Sequence, residues 1–380
     1  MNSFRTPYNP LPMYFPDATR GVVRSLSSSD IKRTGIKGLV VNTYHLREQP
    51  GYELLSKIGG IKKLMNWDGV IASDSGGFQL FSLINKNPKL GKITNEGVTL
   101  YSGKKQQKKH IFTPEESIQI QFALGSDIMV CLDDFTPPLA DLPRAIESVN
   151  RTVNWAQRSK AEFERLVKKN GYTEENRPLL IAPIQGHNNY NLRKKCAQEL
   201  VQIKFDIYGL GGWPFTADGK FDYEMCKINS SLTPNENLRF ALGIGTPQNI
   251  AKLYQMGYDM FDCVLPTRDA RHKRLYIFSD NPENIDPYSD QKWYQFLYLD
   301  RGSHQSDLSP VSPYCDCYTC QNYSRAYLHH LFKIKDSSAF RLATIHNLRF
   351  YSRLMEILQK SSTSRWLASL PEALARFSLP

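Results

Sequence analysis

The sequence predicts an α/β fold, a (β/α)8 TIM barrel with a smaller subdomain inserted near its C-terminus, and three observations point there. Short apolar runs recur over the first 265 residues, and each ends in a polar or glycine-rich tip. Between them lie stretches with apolar residues at helical spacing, such as PRAIESVNRTVNWAQRSKAEFERLVKK, NYNLRKKCAQELVQI and TPQNIAKLYQMG. Strands buried on both faces and alternating with helices form a parallel sheet, and 380 residues hold eight such units plus an appendage.

Taken in order, LPMYFPDAT supplies the first strand and GLVVN the second, ending at Asn42. VIASDSGG carries Asp74, DIMVCLDD ends at Asp133 and Asp134, and LLIAPIQG carries Gln185. FDIYGLGG ends at Gly211 and Gly212, RFALGIG at Gly245, and DMFDCV carries Asp262. An eighth strand favours a closed barrel over an open sheet. Active sites of such barrels lie at the C-terminal strand ends, where Asp74, Asp133, Gln185, the Gly211–Gly212 pair and Asp262 all fall. Five polar tips on one rim form a constellation.

Two stretches break the rhythm. Residues 84–110, INKNPKLGKITNEGVTLYSGKKQQKKH, are long, cationic and glycine-punctuated, and read as an excursion over the rim rather than a core element. The alternation is also lost from about Ser279 to Ser338, and helical periodicity returns in RFYSRLMEILQKSSTSRWLASLPEALARFS. The expected organisation is therefore a barrel over 1–278, a subdomain over 279–350, and a helical segment over 351–380 that packs on the barrel.

With 41% hydrophobic residues the chain can bury a sizeable core, and no run approaches the ~20 apolar residues of a membrane helix. MNSFRTPYNPLPMYFP lacks the cationic and apolar regions of a secretory signal, so a cytoplasmic location and no membrane partner are expected. The net charge of +11 suits a polyanion such as nucleic acid. In the run DMFDCVLPTRDARHKR, Arg268, Arg271, Lys273 and Arg274 follow Asp262 within a dozen residues, with His272 among them.

Seven cysteines, an odd number, exclude a complete disulfide framework. Cys131, Cys196, Cys226 and Cys263 sit among apolar neighbours and read as core residues. Cys315, Cys317 and Cys320, in PYCDCYTCQ, are spaced to converge on one tetrahedral ion, with zinc the expected metal. The fourth ligand is open among His329, His330 and His346 on spacing alone. A site closed by four protein ligands is structural. GIGTPQ lacks the third glycine of a dinucleotide fingerprint, and there is no phosphate-cradling GxxxxGK[ST].

Paired carboxylates such as Asp74 and Asp262 suit chemistry at an anomeric carbon, one attacking C1′ while the other handles protons. The competing reading of each is a helix cap or a buried ion pair. SDSGGFQ, DDFTP, IQG, GLGG, DMFDCVLPTR, CDCYTC and TIHN occur in that order. Together they resemble the tRNA-guanine transglycosylase family, from about Asn42 to Asn347. That resemblance implies a zinc-containing (β/α)8 barrel that exchanges guanine in nucleic acid for a free 7-deazaguanine. It implies Asp262 as nucleophile and Asp74 as general acid/base. Asp133, Gln185, Gly211 and Gly212 would read the base edge, and Phe78 would stack near it. It implies Cys315, Cys317, Cys320 and His346 as zinc ligands, a zinc-binding subdomain, and a homodimer. A stacked base cannot present C1′ to a barrel mouth and must be flipped out. Arg268, Arg271, Lys273 and Arg274, with Lys104, Lys105, Lys108 and Lys109 of the excursion, are the expected phosphate contacts.

The chain departs from the family pattern at three places. GGWPFTADGK puts Trp213, Pro214 and Phe215 where bacterial members continue to a glutamate, and Phe135 stands where many have a cysteine. YSGKKQQKKH replaces a usual His-x-Asp-Gly before FTPE. The incoming base is therefore open among preQ1, preQ0 and queuine, and the polymer between tRNA, the favoured substrate, and DNA. A non-catalytic partner subunit would be expected to lose Asp262 or Asp74, and both are present. A glycoside hydrolase would leave the cysteine cluster and the basic rim unexplained.

Overall fold

Thirteen strands, numbered in chain order, account for the sheets among the described residues. Eight are barrel strands: β1 (Met13–Pro16), β2 (Gly38–Asn42), β3 (Val70–Asp74), β7 (Ile128–Val130), β8 (Leu179–Ile184), β9 (Ile207–Leu210), β10 (Leu238–Ala241) and β11 (Met260–Cys263). The others are β4 (Gly91–Ile93), β5 (Val98–Ser102), β6 (Lys108–Phe112), β12 (Arg274–Phe278) and β13 (Tyr294–Tyr298). The structure, a computed structural model, describes residues 11–102, 108–137, 139–216 and 218–369. Lys104 and Lys105 of the excursion and residues 370–380 of the C-terminal segment lie outside the described residues.

The eight barrel strands pair in parallel in the order β1-β11-β10-β9-β8-β7-β3-β2. A parallel bridge between Asp17 and Val40, with Ala18 N–H donating to Val40 O at 2.7 Å, brings β1 and β2 together and closes the ring. The α/β barrel read from the sequence is the fold.

Side-chain alternation then decides what faces the mouth. Met13, Phe15, Ala72, Ile128, Val130, Ile181, Ile207, Phe240 and Met260 form one buried cluster inside the barrel. Their neighbours Leu39, Val41, Ile71, Leu180, Ala182 and Phe261 pack outward against the helices. Because successive strand residues point to opposite faces, one step beyond the filled interior lie Asp74 after Ala72 and Asp262 after Met260. Asp17 follows Phe15 in the same way, and Gln185 stands two pleats beyond Ile181.

The excursion differs from its expectation. β4, β5 and β6 form a three-stranded antiparallel sheet, and Val98 and Phe112 are buried against the main core. The lysines of KKQQKK dominate the composition and hide the short alternation of VTLYS and KKHIF.

The C-terminal boundaries differ as well. β12 begins at Arg274, ahead of residue 279, and pairs antiparallel with β13. One helix, Ser337–Ser369, runs through the expected break at 350. It carries His346 toward the cysteines, and Tyr351, whose hydroxyl donates to Gly245 O at 2.5 Å on the barrel. The same helix serves both purposes, so no local signal marks a boundary.

Candidate active site

A cavity of about 460 Å³ opens at the C-terminal ends of the barrel strands. Asp74, Phe78, Asp133, Gln185, Gly211, Gly212 and Asp262 all line it. The fold thus brings together seven residues spread over nearly 190 positions of sequence.

Asp262 is the penultimate residue of β11 and among the described residues accepts one hydrogen bond, from Gly243 N–H at 2.8 Å to Oδ1. Burial lifts its carboxyl to about 7, with repulsion from Asp74 and Asp17 adding to the rise and the Gly243 N–H opposing it. Asp74 ends β3 and is held more fully. Asn42 Nδ2 donates to Oδ2 at 2.8 Å, and Gly76 N–H and Thr43 N–H donate to Oδ1 at 2.9 and 3.4 Å. Burial still outweighs these donors and lifts Asp74 to about 6. Two acids that titrate near neutrality can each take either protonation state, which proton transfer requires.

The floor of the cavity is a hydrogen-bonding edge. Gln185 Nε2 donates to Asp133 Oδ2 at 2.7 Å, and burial raises Asp133 to about 6 despite that bond. The neighbouring acid is structural, since Asp134 is buried and paired with Arg144 at 2.6 Å and with Arg151. Gly211 and Gly212 are required here. A Cβ on Gly211 would lie 2.8 Å from Gln185 Nε2, and Gly212 has φ of +91°. Phe78 is 55% exposed on the cavity wall, edge-on to Phe135 with centroids 5.0 Å apart. Trp213 and Phe215 line the same cavity, their rings 5.3 Å apart.

Three contributors escaped sequence reasoning. Asp17 and Thr19 line the cavity at the tip of β1, and LPMYFPDAT carried the same strand-then-acid signal as DMFDCV. Arg193 lies on the helix Tyr190–Ile203 and is buried without a carboxylate partner among the described residues. Its guanidinium donates to Ile184 O, His187 O and Gly211 O at 3.1, 2.7 and 3.1 Å and to Asn229 Oδ1 at 3.1 Å, tying the tips of β8 and β9 together. Nothing in NLRKKC separates Arg193 from its cationic neighbours.

The four rim cations are not equivalent. Arg268, on the helix Leu265–Arg271, is exposed. Arg271 is half-buried, donates to Thr267 O at 2.8 Å, and follows the same strand end. Lys273 stands just past the helix with φ of +65°. Arg274 is committed inward, 2.7 Å from Asp269 and with its guanidinium 4.8 Å from the Phe296 ring centre.

Around the helix Ser337–Ser369, the ligand atoms of Cys315, Cys317, Cys320 and His346 lie within 4.8 Å of one another. His346 Nδ1 is 3.3 Å from Cys320 Sγ and 3.7 Å from Cys317 Sγ. Its Nε2 donates to Tyr276 O at 2.7 Å, which leaves the Nδ1 lone pair for a metal. His329 is turned elsewhere, 2.6 Å from Leu299 O, and His330 is exposed. Three sulfurs and one imidazole suit a tetrahedral thiophilic ion, and the four donors leave no position open. Among the described residues no helix is long and apolar enough to cross a membrane.

The chain is similar to known proteins over nearly its whole length. Residues 3–376 match the family model described as Queuine tRNA-ribosyltransferase. The chain is 38% identical over 350 residues to a queuine tRNA-ribosyltransferase of Thermoanaerobacter pseudethanolicus, covering 92% of this chain and 86% of that one. The corresponding protein of Blochmanniella floridana is 38% identical over 364 residues, 95% and 89% of the two chains. That of Mannheimia succiniciproducens is 35% identical over 370 residues, 97% and 90%.

Proposed function

The chain belongs to the queuine tRNA-ribosyltransferase family and is a glycosyltransferase of the pentosyl-transferring kind, and from that premise we propose that it replaces a guanine of tRNA, at the anticodon wobble position, by a 7-deazaguanine. The observation that carries the reading is the convergence of Asp74, Asp133, Gln185, Gly211, Gly212 and Asp262 on one cavity at the strand ends.

In this mechanism the target nucleotide is flipped into the cavity. The Asp133–Gln185 edge and the Gly211–Gly212 backbone hold the base while Phe78 covers its face. Asp262 attacks C1′, the C1′–N9 bond breaks with its electron pair passing to guanine, and protonated Asp74 supplies the proton that guanine needs to leave. Guanine is exchanged for the 7-deazaguanine, whose N9–H gives its proton back to Asp74. N9 then attacks C1′ and displaces the Asp262 carboxylate. Two displacements at one carbon restore the original stereochemistry, and the polymer backbone is never cut.

Burial raises Asp262 and Asp74 to about 7 and 6, which makes both carboxylates more basic and lets each exchange a proton near neutrality. The incoming base is preQ1, preQ0 or queuine, and the Trp213–Phe215 wall is the feature that distinguishes this cavity for it. Arg268, Arg271 and Lys273 contact phosphates. The Cys315, Cys317, Cys320 and His346 cluster holds a structural Zn²⁺, and the enzyme acts in the cytoplasm as a homodimer.

The test is incorporation of radiolabelled guanine, and then of each 7-deazaguanine, into tRNA bearing a G-U-N anticodon and into duplex DNA. Label is expected in tRNA, and the tRNA lacking that base should trap as a covalent adduct with the enzyme that Asp262→Ala abolishes. Label in DNA alone would replace tRNA by DNA as the substrate. No incorporation into either would leave a non-catalytic partner subunit as the better account.

A further inference from the structure

Asp17 is a fourth carboxylate in the cavity, beside Asp74, Asp133 and Asp262, and the exchange mechanism gives it no part. Its position follows from pairing. Phe15 of β1 is in register with Asp262 of β11, and Asp17 is the next residue on the same face, one pleat above the nucleophile on the neighbouring strand. Thr19 N–H donates to Asp17 Oδ1 at 3.1 Å, and the Thr19 hydroxyl donates to the same oxygen. Among the described residues no hydrogen bond reaches Asp17 Oδ2.

Asp74, Asp262 and Asp17 differ in what remains free. Asp74 has both oxygens engaged by the protein. Asp262 keeps one oxygen for C1′. Asp17 lines the cavity with one oxygen fixed and the other without a partner among the described residues, which is the form of a hydrogen-bond acceptor waiting for a donor.

The substrate's chemistry supplies that donor. The strands that flank β11 are β10 and β1, so a ribose held with C1′ at Asp262 has the tips of these two strands beside it. The tip of β10 offers an N–H, at Gly243, which already serves Asp262. The tip of β1 offers a carboxylate oxygen. A hydroxyl proton pairs with the second, and only RNA has a 2′-hydroxyl there.

Resting on the exchange reading, we propose that Asp17 accepts a hydrogen bond from the 2′-hydroxyl of the target nucleotide and thereby selects ribonucleotides over deoxyribonucleotides. A hydrogen bond to a charged acceptor in a partly dehydrated cavity contributes roughly ten- to a hundredfold. With a deoxyribonucleotide in place the half-buried carboxylate would lose water and gain nothing, so the penalty falls on the wrong sugar.

The experiment compares kcat/KM for guanine incorporation into tRNA and into the same tRNA carrying a single 2′-deoxyguanosine at the exchanged position. Wild-type enzyme should favour the ribonucleotide by about tenfold or more. Asp17→Ala should lower the rate on the ribonucleotide and bring the ratio to within about threefold of unity. Asp17→Asn keeps a carbonyl acceptor and the turn to Thr19, and should hold an intermediate ratio with an unchanged melting temperature. The same ribo-to-deoxy ratio in wild type and Asp17→Ala would overturn the assignment, as would a wild type indifferent to the sugar. Incorporation into neither strand would instead remove the exchange reading, and this inference with it.

Discussion

The barrel mouth and the Cys315–His346 cluster each gather polar side chains from several elements, yet they treat polar atoms in opposite ways. At the mouth, Asp262 and Asp17 each keep an oxygen with no partner among the described residues, and burial pushes Asp74, Asp133 and Asp262 up to between about 6 and 7. In the cluster, all four donors point at one another and the remaining nitrogen of His346 is held by Tyr276 O. One region gives up stability to keep groups reactive, and the other commits reactive groups to stability. Substitutions in the two should therefore act on different measurements.

The largest effect is expected at Asp262. Asp262→Asn should lower base exchange on the order of 10⁴-fold or more, since loss of a covalent nucleophile removes the step itself. The same change should stabilise the fold. A carboxyl raised to about 7 in the folded chain, against about 4 unfolded, gives up stability as pH climbs through that window. At pH 8 the variant should therefore gain on the order of 2 kcal/mol over wild type, discounted for partial exposure, and the gain should vanish at about pH 4. Thermal unfolding at the two values checks this. The acid limb of kcat/KM in the wild type should fall below about pH 7, because the nucleophile must be ionised. An Asp262→Asn variant less stable than wild type at about pH 8 would end the contrast between the two regions.

Cys320→Ser should do the reverse. Removing one of four converging donors weakens metal retention and destabilises the subdomain by several kcal/mol, typically about 2–5 as for other lost structural links. Activity should fall only in step with the folded fraction, and a metal assay on the purified variant should read below one ion per chain. Chelation of the wild type should lower the melting temperature likewise. A variant that stays fully folded but loses turnover would place the metal in the chemistry.

Arg193 joins the two styles. It is satisfied like a cluster residue, through four acceptors, but what it satisfies is the tips that carry Gln185 and Gly211. Arg193→Lys keeps the charge but cannot reach four acceptors in a fixed fork, so KM for the free base should rise roughly tenfold with a smaller change in kcat. Separate measurement of the two constants distinguishes this from simple unfolding.

The same contrast explains what the sequence disclosed. Residues that end strands, such as Asp74, Gln185 and Asp262, were legible because an apolar run followed by one polar residue is a local signal. Asp17 obeys that rule in LPMYFPDAT, and its acid went unread because Pro16 separates it from the apolar run MYF. His346 stands 26 positions after Cys320, beyond the reach of spacing, and only the helix Ser337–Ser369 brings it back. Arg193 and the β4–β6 sheet were illegible for a common reason, since their charged composition matches that of any solvated surface. Asp133 and Asp134 look alike until Arg144 and Arg151, two turns apart on the next helix, claim the second.

The smallest effect tests that limit within a single run of sequence. Arg268 and Arg274 are indistinguishable in RDARHKR, but the first is exposed on the helix that follows β11 and the second is paired with Asp269 and stacked near Phe296. Arg268→Ala should weaken tRNA binding a few-fold and reduce the slope of log affinity against log salt by about one, the signature of one lost phosphate contact. Its melting temperature should not move. Arg274→Ala should leave the salt slope unchanged and lower the melting temperature instead, because among the described residues it leaves the buried Asp269 carboxylate with only the Tyr276 hydroxyl. Binding titrations at several salt concentrations, with unfolding measured alongside, separate the two. If both arginines shift the slope equally, the inward commitment of Arg274 is broken when RNA binds, and the rim is a more plastic surface than the fold alone implies.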